Sequence, residues 1–411
     1  MALKVRVRVC FALMLLLTAV IWGGLFLSSP DSQQRMIFSD SVSAYFSDYQ
    51  LPRGFVAPIR DMYCPAPNVW TRGNASPMSA LEILRPFAAD RGGAIMFMVF
   101  SALFFCGTLM LFLIGKVKMG LSLAGLVLAS LCSSWIFMRT IERGNCIFVA
   151  AGLCVLFVSW FDSRRLPLRI MAAVALGLAT SIKISPVFFG LLYFAEPVRK
   201  NRGLLNYDLM DMLISGVVAV SLLIVPFFFG GDFCGDFSAW MANINREAAT
   251  HMSTWGLHGI VYYGSGFVSR FAPWIEISVC KWITVVLGLL ILVAFLGMMV
   301  VRDVATRSDR LFFVVAVMLV LCTNSMFYMG IMLFPGLVLW LKEVEGRKRV
   351  SLCEFCQLAL WLLMLMPLQI VVGGKTATMF ITFFAFWTLI LLRLGVCANR
   401  FAQCMKSDRR T

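Results

Sequence analysis

The sequence predicts an all-α polytopic membrane protein that crosses the bilayer about 10–12 times, and three observations predict it. First, 60% of the 411 residues are hydrophobic and 14% are charged, whereas an ordinary soluble domain is roughly 45–50% apolar and about 25% charged. Second, the apolar residues form long runs between short charged clusters. Third, Lys and Arg, which give a net charge of +15, concentrate in those clusters. These observations argue against a soluble enzyme and against nucleic-acid binding, and they make residues 1–411 one integral membrane domain.

The apolar runs give the predicted membrane segments. A helix needs about 20 residues to cross the hydrocarbon core. The run 9–29 is longer than a signal-peptide core of roughly 7–15 residues, and no A-x-A site follows it, so we expect an uncleaved first span. The runs are 9–29, 93–115, 119–138, 146–161, 170–182, 184–195, 210–229, 277–301, 311–323, 326–341, 355–372 and 376–397.

The basic clusters predict the orientation, because cytoplasmic loops carry an excess of Lys and Arg. If every run crosses, both termini are cytoplasmic, 400–411 is a basic cytoplasmic tail, and two long outer loops cover 30–92 and 230–276. Seven clusters then share the cytoplasmic side: Lys4/Arg6/Arg8, Lys116/Lys118, Arg164/Arg165/Arg169, Arg199/Lys200/Arg202, Arg302/Arg307/Arg310, Lys342/Arg347/Lys348/Arg349 and Arg393 to Arg410.

Two segments are predicted to enter the membrane and return. The segment 170–195 has a basic cluster at each end, so we expect two short or re-entrant helices that meet at Lys183–Pro186. The segment 311–341 repeats this arrangement with its apex at 322–325. Irregular backbone at membrane depth persists only where it is buried in protein or lines a wet cavity. Two broken helix pairs therefore predict a cavity that opens to the outer face.

Polar residues at the predicted outer edge are the candidate functional residues. They are Arg139, Arg143 and Asn145 in the turn after the third run, Lys183 and Asn324 at the two apexes, and Lys375 after Gly373-Gly374. An ionisable group in a membrane costs about 2.5–3.5 kcal/mol and is a functional candidate by default. Cations and neutral donors at one depth suit an anionic ligand such as a lipid phosphate. The alternatives remain open: both arginines could extend to lipid headgroups, and Lys183 could be a helix-end anchor.

The acidic residues of the first outer loop include candidates for a general base. A carboxylate just outside the membrane, such as Asp40, could take a proton from an acceptor hydroxyl, but the residues alone do not single it out among the six acids of the first outer loop.

No GxxxxGK[ST] and no HExxH is present, so we expect neither an ATP-driven pump nor a metalloprotease, and no metal or other cofactor. Whether Cys64 and Cys234, one in each outer loop, form a disulfide is left open.

Six short motifs occur in a characteristic order along the chain. They are Asp40 to Tyr45, Asp61-Met-Tyr63, Ser76-Pro77 through Pro86-Phe87, Arg143-Gly144-Asn145, Ala175 through Lys183-Ile-Ser-Pro186, and Leu257-His258-Gly259-Ile260. With these motifs the chain resembles the polyprenol-phosphate-sugar-dependent glycosyltransferases of family 87, which have the GT-C fold. The first motif departs from the family pattern, because Ser41 replaces a hydrophobic residue and Tyr45 is one position late.

The resemblance implies a mannosyltransferase-like enzyme of the bacterial inner membrane. Such an enzyme passes a hexose from a polyprenyl-phosphate donor to a lipid or glycan acceptor on the outer, extracytoplasmic face, with inversion. By the resemblance Asp40 is the general base, with Asp61 as second candidate. Arg143, Asn145, Lys183 and Lys375 are candidates for the donor phosphate, and His258 and Asn324 line the site.

A secondary transporter or lipid-linked-sugar flippase is the alternative, because transporters also use broken helices at membrane depth. Against it, the cytoplasmic loops are short, the candidate residues favour the outer side, and no acid lies in the middle of a run. A non-catalytic assembly protein is a third, weaker alternative.

Overall fold

The structure is a computed structural model, and it describes the greater part of the predicted membrane segments. It describes residues 9, 11–20, 91–144, 146–195, 208–228, 232–250, 304–322, 327–345, 347, 351–366, 371–372 and 375–408, with positions 282, 286, 289, 290, 293, 294 and 297.

The described residues are almost all helical. The helices are α1 (Phe11–Val20), α2 (Arg91–Leu111, continued by a π-helical turn Phe112–Lys116), α3 (Leu121–Cys132), α4 (Trp135–Arg143), α5 (Ile147–Trp160), α6 (Leu166–Ile182), α7 (Leu192–Ala195), α8 (Asp208–Phe228), α9 (Phe233–Thr250), α10 (Arg307–Leu321), α11 (Phe334–Glu345), α12 (Leu352–Met364) and α13 (Ala377–Asp408). Two 3-10 helices, Ser185–Leu191 and Phe327–Leu333, precede α7 and α11. A two-stranded antiparallel hairpin, β1 (Val371–Val372) and β2 (Lys375–Thr376), joins α12 to α13.

The chain is an all-α polytopic membrane protein, as predicted. Within the described residues, three helices are long and apolar enough to cross a membrane: Ile95–Lys116, Leu209–Phe228 and Thr378–Lys406. The bent pair of α3 and α4 adds a fourth, and α1, α5, α6 and α12 are shorter apolar helices. The total of about 10–12 segments stays a prediction, because runs such as 277–301 lie largely outside the described residues.

The predicted return of the segment 311–341 is confirmed by contacts between its two ends. The Glu343 carboxylate near the end of α11 accepts from the Ser308 backbone N–H at 3.1 Å and from the Ser308 hydroxyl at 2.7 Å. Ser308 lies in the first turn of α10, so the two helices form an antiparallel hairpin. The 15 residues of α10 carry the chain about 22 Å from this end before it turns back.

A buried charge cluster ties this hairpin to α13. Asp309 closes a capping box with Thr306 at the start of α10. Its carboxylate also accepts from Arg393 at 3.2 Å and from Arg400 at 2.8 Å, both on α13. Arg393 is fully buried, and its guanidinium lies over the Phe312 ring, 4.6 Å from the centroid. We call Asp309, Arg393 and Arg400 the charge clasp.

Further polar contacts join the same end of the bundle. Asp162, after α5, pairs with Lys116 at the end of α2 and with Arg307 at the start of α10. Lys342 on α11 donates to the Lys118 backbone carbonyl at 3.4 Å. Clusters that the sequence places on one side of the membrane therefore meet at one end of the protein.

The first predicted break, at Lys183, is also present, and α6 is fixed by a close crossing with α8. A Cβ built on Gly177 of α6 would lie 2.7 Å from Val218 Cβ and 2.8 Å from the Ser215 carbonyl oxygen, both on α8. At the start of α6, where the basic cluster lies, Arg169 donates a hydrogen bond to Asp211 of α8 at 3.0 Å. The 17 residues of α6 carry Lys183 about 25 Å from that end.

One segment differs from the expectation. Arg139 and Arg143 were expected in an outer turn, whereas they lie in α4, which is bent by 57° from α3. The Ser134 hydroxyl caps α4 by accepting from the Phe137 N–H at 3.3 Å, so a new helix starts at Trp135, inside the run 119–138. The run is therefore broken at Ser133-Ser134 rather than continuous.

Helices occupy part of the predicted second outer loop, where short amphipathic helices are the expectation, and part of the predicted tail. Within the predicted second outer loop, α9 is a helix that buries Trp240, Asp236 and Asn243. The predicted tail 400–411 continues α13 as far as Asp408. Cys234 is exposed, and Cys64 lies outside the described residues, so their pairing is not tested.

Gly177→Ala should destabilise the protein because the new methyl group meets the α8 backbone. We expect the free energy of unfolding to fall by about 1–3 kcal/mol, measured by thermal unfolding in detergent. Gly107→Ala is the matched control, because a Cβ there meets nothing within 4 Å. It should be neutral or stabilising by up to about 1 kcal/mol. Equal effects of the two substitutions would contradict the close crossing.

Asp309→Asn should be strongly destabilising because it removes the carboxylate that accepts from the buried Arg393 guanidinium. We expect a loss of about 3–5 kcal/mol, measured by the same thermal unfolding. Glu345→Gln removes an acid that pairs with Lys342, with side-chain exposures of 9% for the acid and 39% for the lysine, and it should cost less than Asp309→Asn because the Gln oxygen still accepts a hydrogen bond from the lysine. A small effect at both positions would show that the charge clasp does not hold the hairpin.

Candidate functional site

Lys183 lies where α6 ends, and Pro186 explains why the helix ends there. In a continued α-helix, residue 186 would donate its backbone N–H to the Ile182 carbonyl, but proline has no N–H and its ring clashes with that carbonyl. Lys183 is extended, with φ −140° and ψ 129°, and its N–H closes the helix on the Ala179 carbonyl at 3.0 Å. The Lys183 ammonium is half-buried at the negative end of the helix dipole, a favourable place for a cation.

The Lys183 ammonium contacts an aromatic ring from the second broken hairpin. Its Nζ lies 5.4 Å from the ring centroid of Tyr328, which is within the range of a cation–π interaction. Tyr328 is 6% exposed and belongs to the 3-10 helix that follows α10. The apex regions of the two predicted hairpins therefore meet at this pair.

The helix α4 carries Arg143 to its C-terminal end. Arg143 is half-buried, and Gly144 ends the helix in the left-handed conformation, with φ 65°. One turn earlier, Arg139 forms an ion pair with Glu142, whose carboxylate is fully buried. Arg139 is thus paired within the protein, which opposes the alternative that it extends to lipid headgroups.

The helix α4 also packs against the segment that holds Tyr328. Thr140 is fully buried, and its hydroxyl lies 3.4 Å from the Tyr328 carbonyl oxygen while it donates to Ile136 at 2.8 Å. The start of α4 is fixed by a hydrogen bond from the Trp135 N–H to the Met366 carbonyl at 3.0 Å. Tyr328 therefore contacts the Lys183 side chain and the helix that carries Arg143.

Of the other predicted site residues, the structure describes Lys375 and leaves five outside its described part. Lys375 is the first residue of β2 and pairs with Val372 across the hairpin that precedes α13. The residues outside the described part of the chain are Asp40, Asp61, Asn145, His258 and Asn324. Arg143 and Lys183 are thus the candidates whose surroundings the structure shows, and their elements meet at Tyr328.

Two residues of this region were not singled out from the sequence. Glu142 had a signal, because it lies three residues after Arg139 on what proves to be a helix. Tyr328 follows the predicted apex 322–325 closely, but its contact with Lys183 depends on how the two hairpins pack. Within the described residues, no three His, Cys, Asp or Glu side chains come together in a group that could hold a metal ion.

Comparison with known proteins gives one finding. The model of glycosyltransferase family 87 matches residues 76–327, which is more than half of the chain. The match includes Arg143 and Lys183, and it leaves out Asp40, Asp61, Lys375 and Tyr328. No curated protein and no solved structure matches. The chain therefore belongs to glycosyltransferase family 87, and it is a membrane glycosyltransferase.

Proposed function

We propose that this glycosyltransferase transfers a hexose, with mannose as the first candidate, from a polyprenyl-phosphate donor to a lipid or glycan acceptor on the outer face of the bacterial inner membrane. The observation that carries the proposal is the Lys183 ammonium, which lies at an interrupted helix end over the ring of Tyr328, a residue whose carbonyl oxygen faces the helix that bears Arg143. A cation at membrane depth suits a lipid-linked phosphate because the bilayer holds the lipid chain while the cation binds the phosphate.

The proposed reaction is a single displacement with inversion. An acceptor hydroxyl attacks the anomeric carbon from the face opposite the phosphate and forms a new C–O bond. The bond from that carbon to the phosphate oxygen breaks, and polyprenyl phosphate leaves with the bonding electron pair. The hydroxyl proton goes to a carboxylate acting as general base. Cations next to the leaving phosphate stabilise the negative charge that develops on it.

The residue roles follow the resemblance and the chemistry. Asp40 is the proposed base, with Asp61 as the second candidate. The proposed donor-phosphate ligands are Arg143, Asn145, Lys183 and Lys375. His258 and Asn324 are proposed to line the acceptor side. No metal is proposed, because two or more basic side chains can themselves neutralise a leaving phosphate.

The distribution of charged contacts supports an outer site. The ion pairs of Asp162, Asp309 and Arg169 lie at the end of the bundle that the basic clusters predict to be cytoplasmic. Lys183 lies about 25 Å along α6 from that end, most of the way across a hydrocarbon core of about 30 Å. A phosphate held there is close to the opposite face of the membrane.

Lys183→Gln and Arg143→Gln should each weaken binding of undecaprenyl phosphate. Loss of one charged hydrogen bond is worth about 1.5–3 kcal/mol, which is a rise in Kd of about 10- to 100-fold. Binding is measured by tryptophan fluorescence of the purified protein in nanodiscs. The control is Arg164→Gln, because Arg164 is exposed at the opposite end. Unchanged Kd values in both test variants would rule out the phosphate role.

Asp40→Asn should abolish most of the transfer while leaving donor binding intact. Removing a general base costs about 10²- to 10⁴-fold in rate. The assay supplies radiolabelled undecaprenyl-phosphate hexoses and a membrane lipid extract, and mass spectrometry identifies the product. Asp48→Asn, in the same loop, is the control and should keep its activity. Wild-type rates in Asp40→Asn with loss of activity in Asp61→Asn would move the role to Asp61.

A further inference from the structure

Two cysteine sulfurs meet where helix α2 packs against helix α3. The Sγ atoms of Cys106 on α2 and Cys132 on α3 lie 3.5 Å apart, and both side chains are half-buried thiols. A disulfide bond joins sulfurs that are about 2.05 Å apart, so the two atoms have to approach by only about 1.5 Å. The contact therefore places two oxidisable groups within reach of each other.

The lengths of the two helices place this cysteine pair deep in the membrane. Cys106 lies ten residues before Lys116, the last residue of the π-helical turn of α2, which is about 15 Å along the helix. Cys132 ends α3, eleven residues after Leu121, which is about 16 Å along that helix. These distances are about half of a hydrocarbon core of about 30 Å. A molecule dissolved in the hydrocarbon can reach the sulfurs there, whereas a charged, water-soluble one is excluded.

We infer that Cys106 and Cys132 form a disulfide inside the membrane, with a quinone of the bilayer as the oxidant. The S–H bonds of both thiols break, and one S–S bond forms between the two sulfurs. The two electrons and two protons that the thiols lose reduce the quinone to a quinol. Thiolates are the species that exchange with a disulfide, and a charge is costly in hydrocarbon. The bond, once formed, is therefore protected from water-soluble thiols.

The crosslink would hold the pivot of the bent helix pair. Cys132 ends α3, and the chain turns by 57° at Ser133-Ser134 before α4 begins. The far side of this bend is held by the hydrogen bond from the Trp135 N–H to the Met366 carbonyl at 3.0 Å. A bond from Cys132 to the long span α2 fixes the near side. The two attachments together set the direction of α4, the helix that bears Arg143.

The first test determines the redox state of the pair in native membranes. Membranes prepared without reductant are dissolved in SDS with excess N-ethylmaleimide, which alkylates every free thiol, and peptic peptides are analysed by mass spectrometry. We expect a peptide pair linked through Cys106 and Cys132. Cys154, fully buried in α5, is the control and should carry the maleimide. Maleimide on both Cys106 and Cys132 would overturn the inference, and this test needs no variant.

The second test follows the oxidation in nanodiscs that contain the reduced protein. Decylubiquinone is added, and the quinol is measured by its absorbance. The wild type should yield one more quinol per protein than the variant that carries both Cys106→Ala and Cys132→Ala. Oxidised glutathione, which stays in the water, should form the crosslink much more slowly. Equal quinol yields from the two proteins would contradict oxidation of this pair by the quinone.

The third test separates a covalent bond from the packing of two independent thiols. Cys106→Ala and Cys132→Ala should each lower the unfolding temperature of the oxidised protein by about 2–5 °C. The double variant should lose less than the sum, because either substitution alone removes the crosslink. Cys154→Ala is the control and should leave the crosslink intact. Additive losses at the two positions would refute a bond between them. Since no measurement uses donor binding or sugar transfer, the outcome is independent of the proposed function.

Discussion

The buried carboxylate of Asp309 is the interaction on which the arrangement of the second hairpin depends. It caps α10 and accepts hydrogen bonds from two arginines of α13. Arg393 is fully buried between the rings of Phe312 and Trp340, and within the described residues its Nε and Nη2 have no hydrogen-bond partner. A cation in such a place is stable only while its counter-charge stays, so the charge clasp fixes where α10 begins. Because the start of α10 is fixed, the length of this helix determines how deep in the membrane Tyr328 lies.

The two ends of the protein hold their cations by different contacts. At the end of the charge clasp, Lys116 and Arg307 share one carboxylate, that of Asp162. At the other end, the Lys183 ammonium lies over the ring of Tyr328. Under the proposed function, this second end is the one that meets the phosphate of the donor.

The sequence predicted those features that depend on local chemistry or on the preference of Lys and Arg for the cytoplasmic side of the membrane. Pro186 marks the break after Lys183 because a missing N–H acts locally, and the basic clusters at both ends of 311–341 indicate its return. The bend at Ser133-Ser134 was missed although the Ser134 cap is a local signal, because the run 119–138 is apolar on both sides of it. The contact of Tyr328 with Lys183 was missed because it joins residues far apart along the chain. Five of the candidate site residues lie outside the described part of the chain, and the roles of all the candidates remain predictions.

The close crossing at Gly177 has a consequence for how this region can change in evolution. Helix α6 is anchored there by backbone contact, and Lys183 follows six residues later at the end of the same rigid helix. Inserting or deleting one residue between them would turn the lysine by about 100° around the helix axis and shift it by about 1.5 Å along it. The ammonium would then face away from its ring. The spacing between glycine and lysine is therefore under stricter constraint than the identity of the apolar side chains between them.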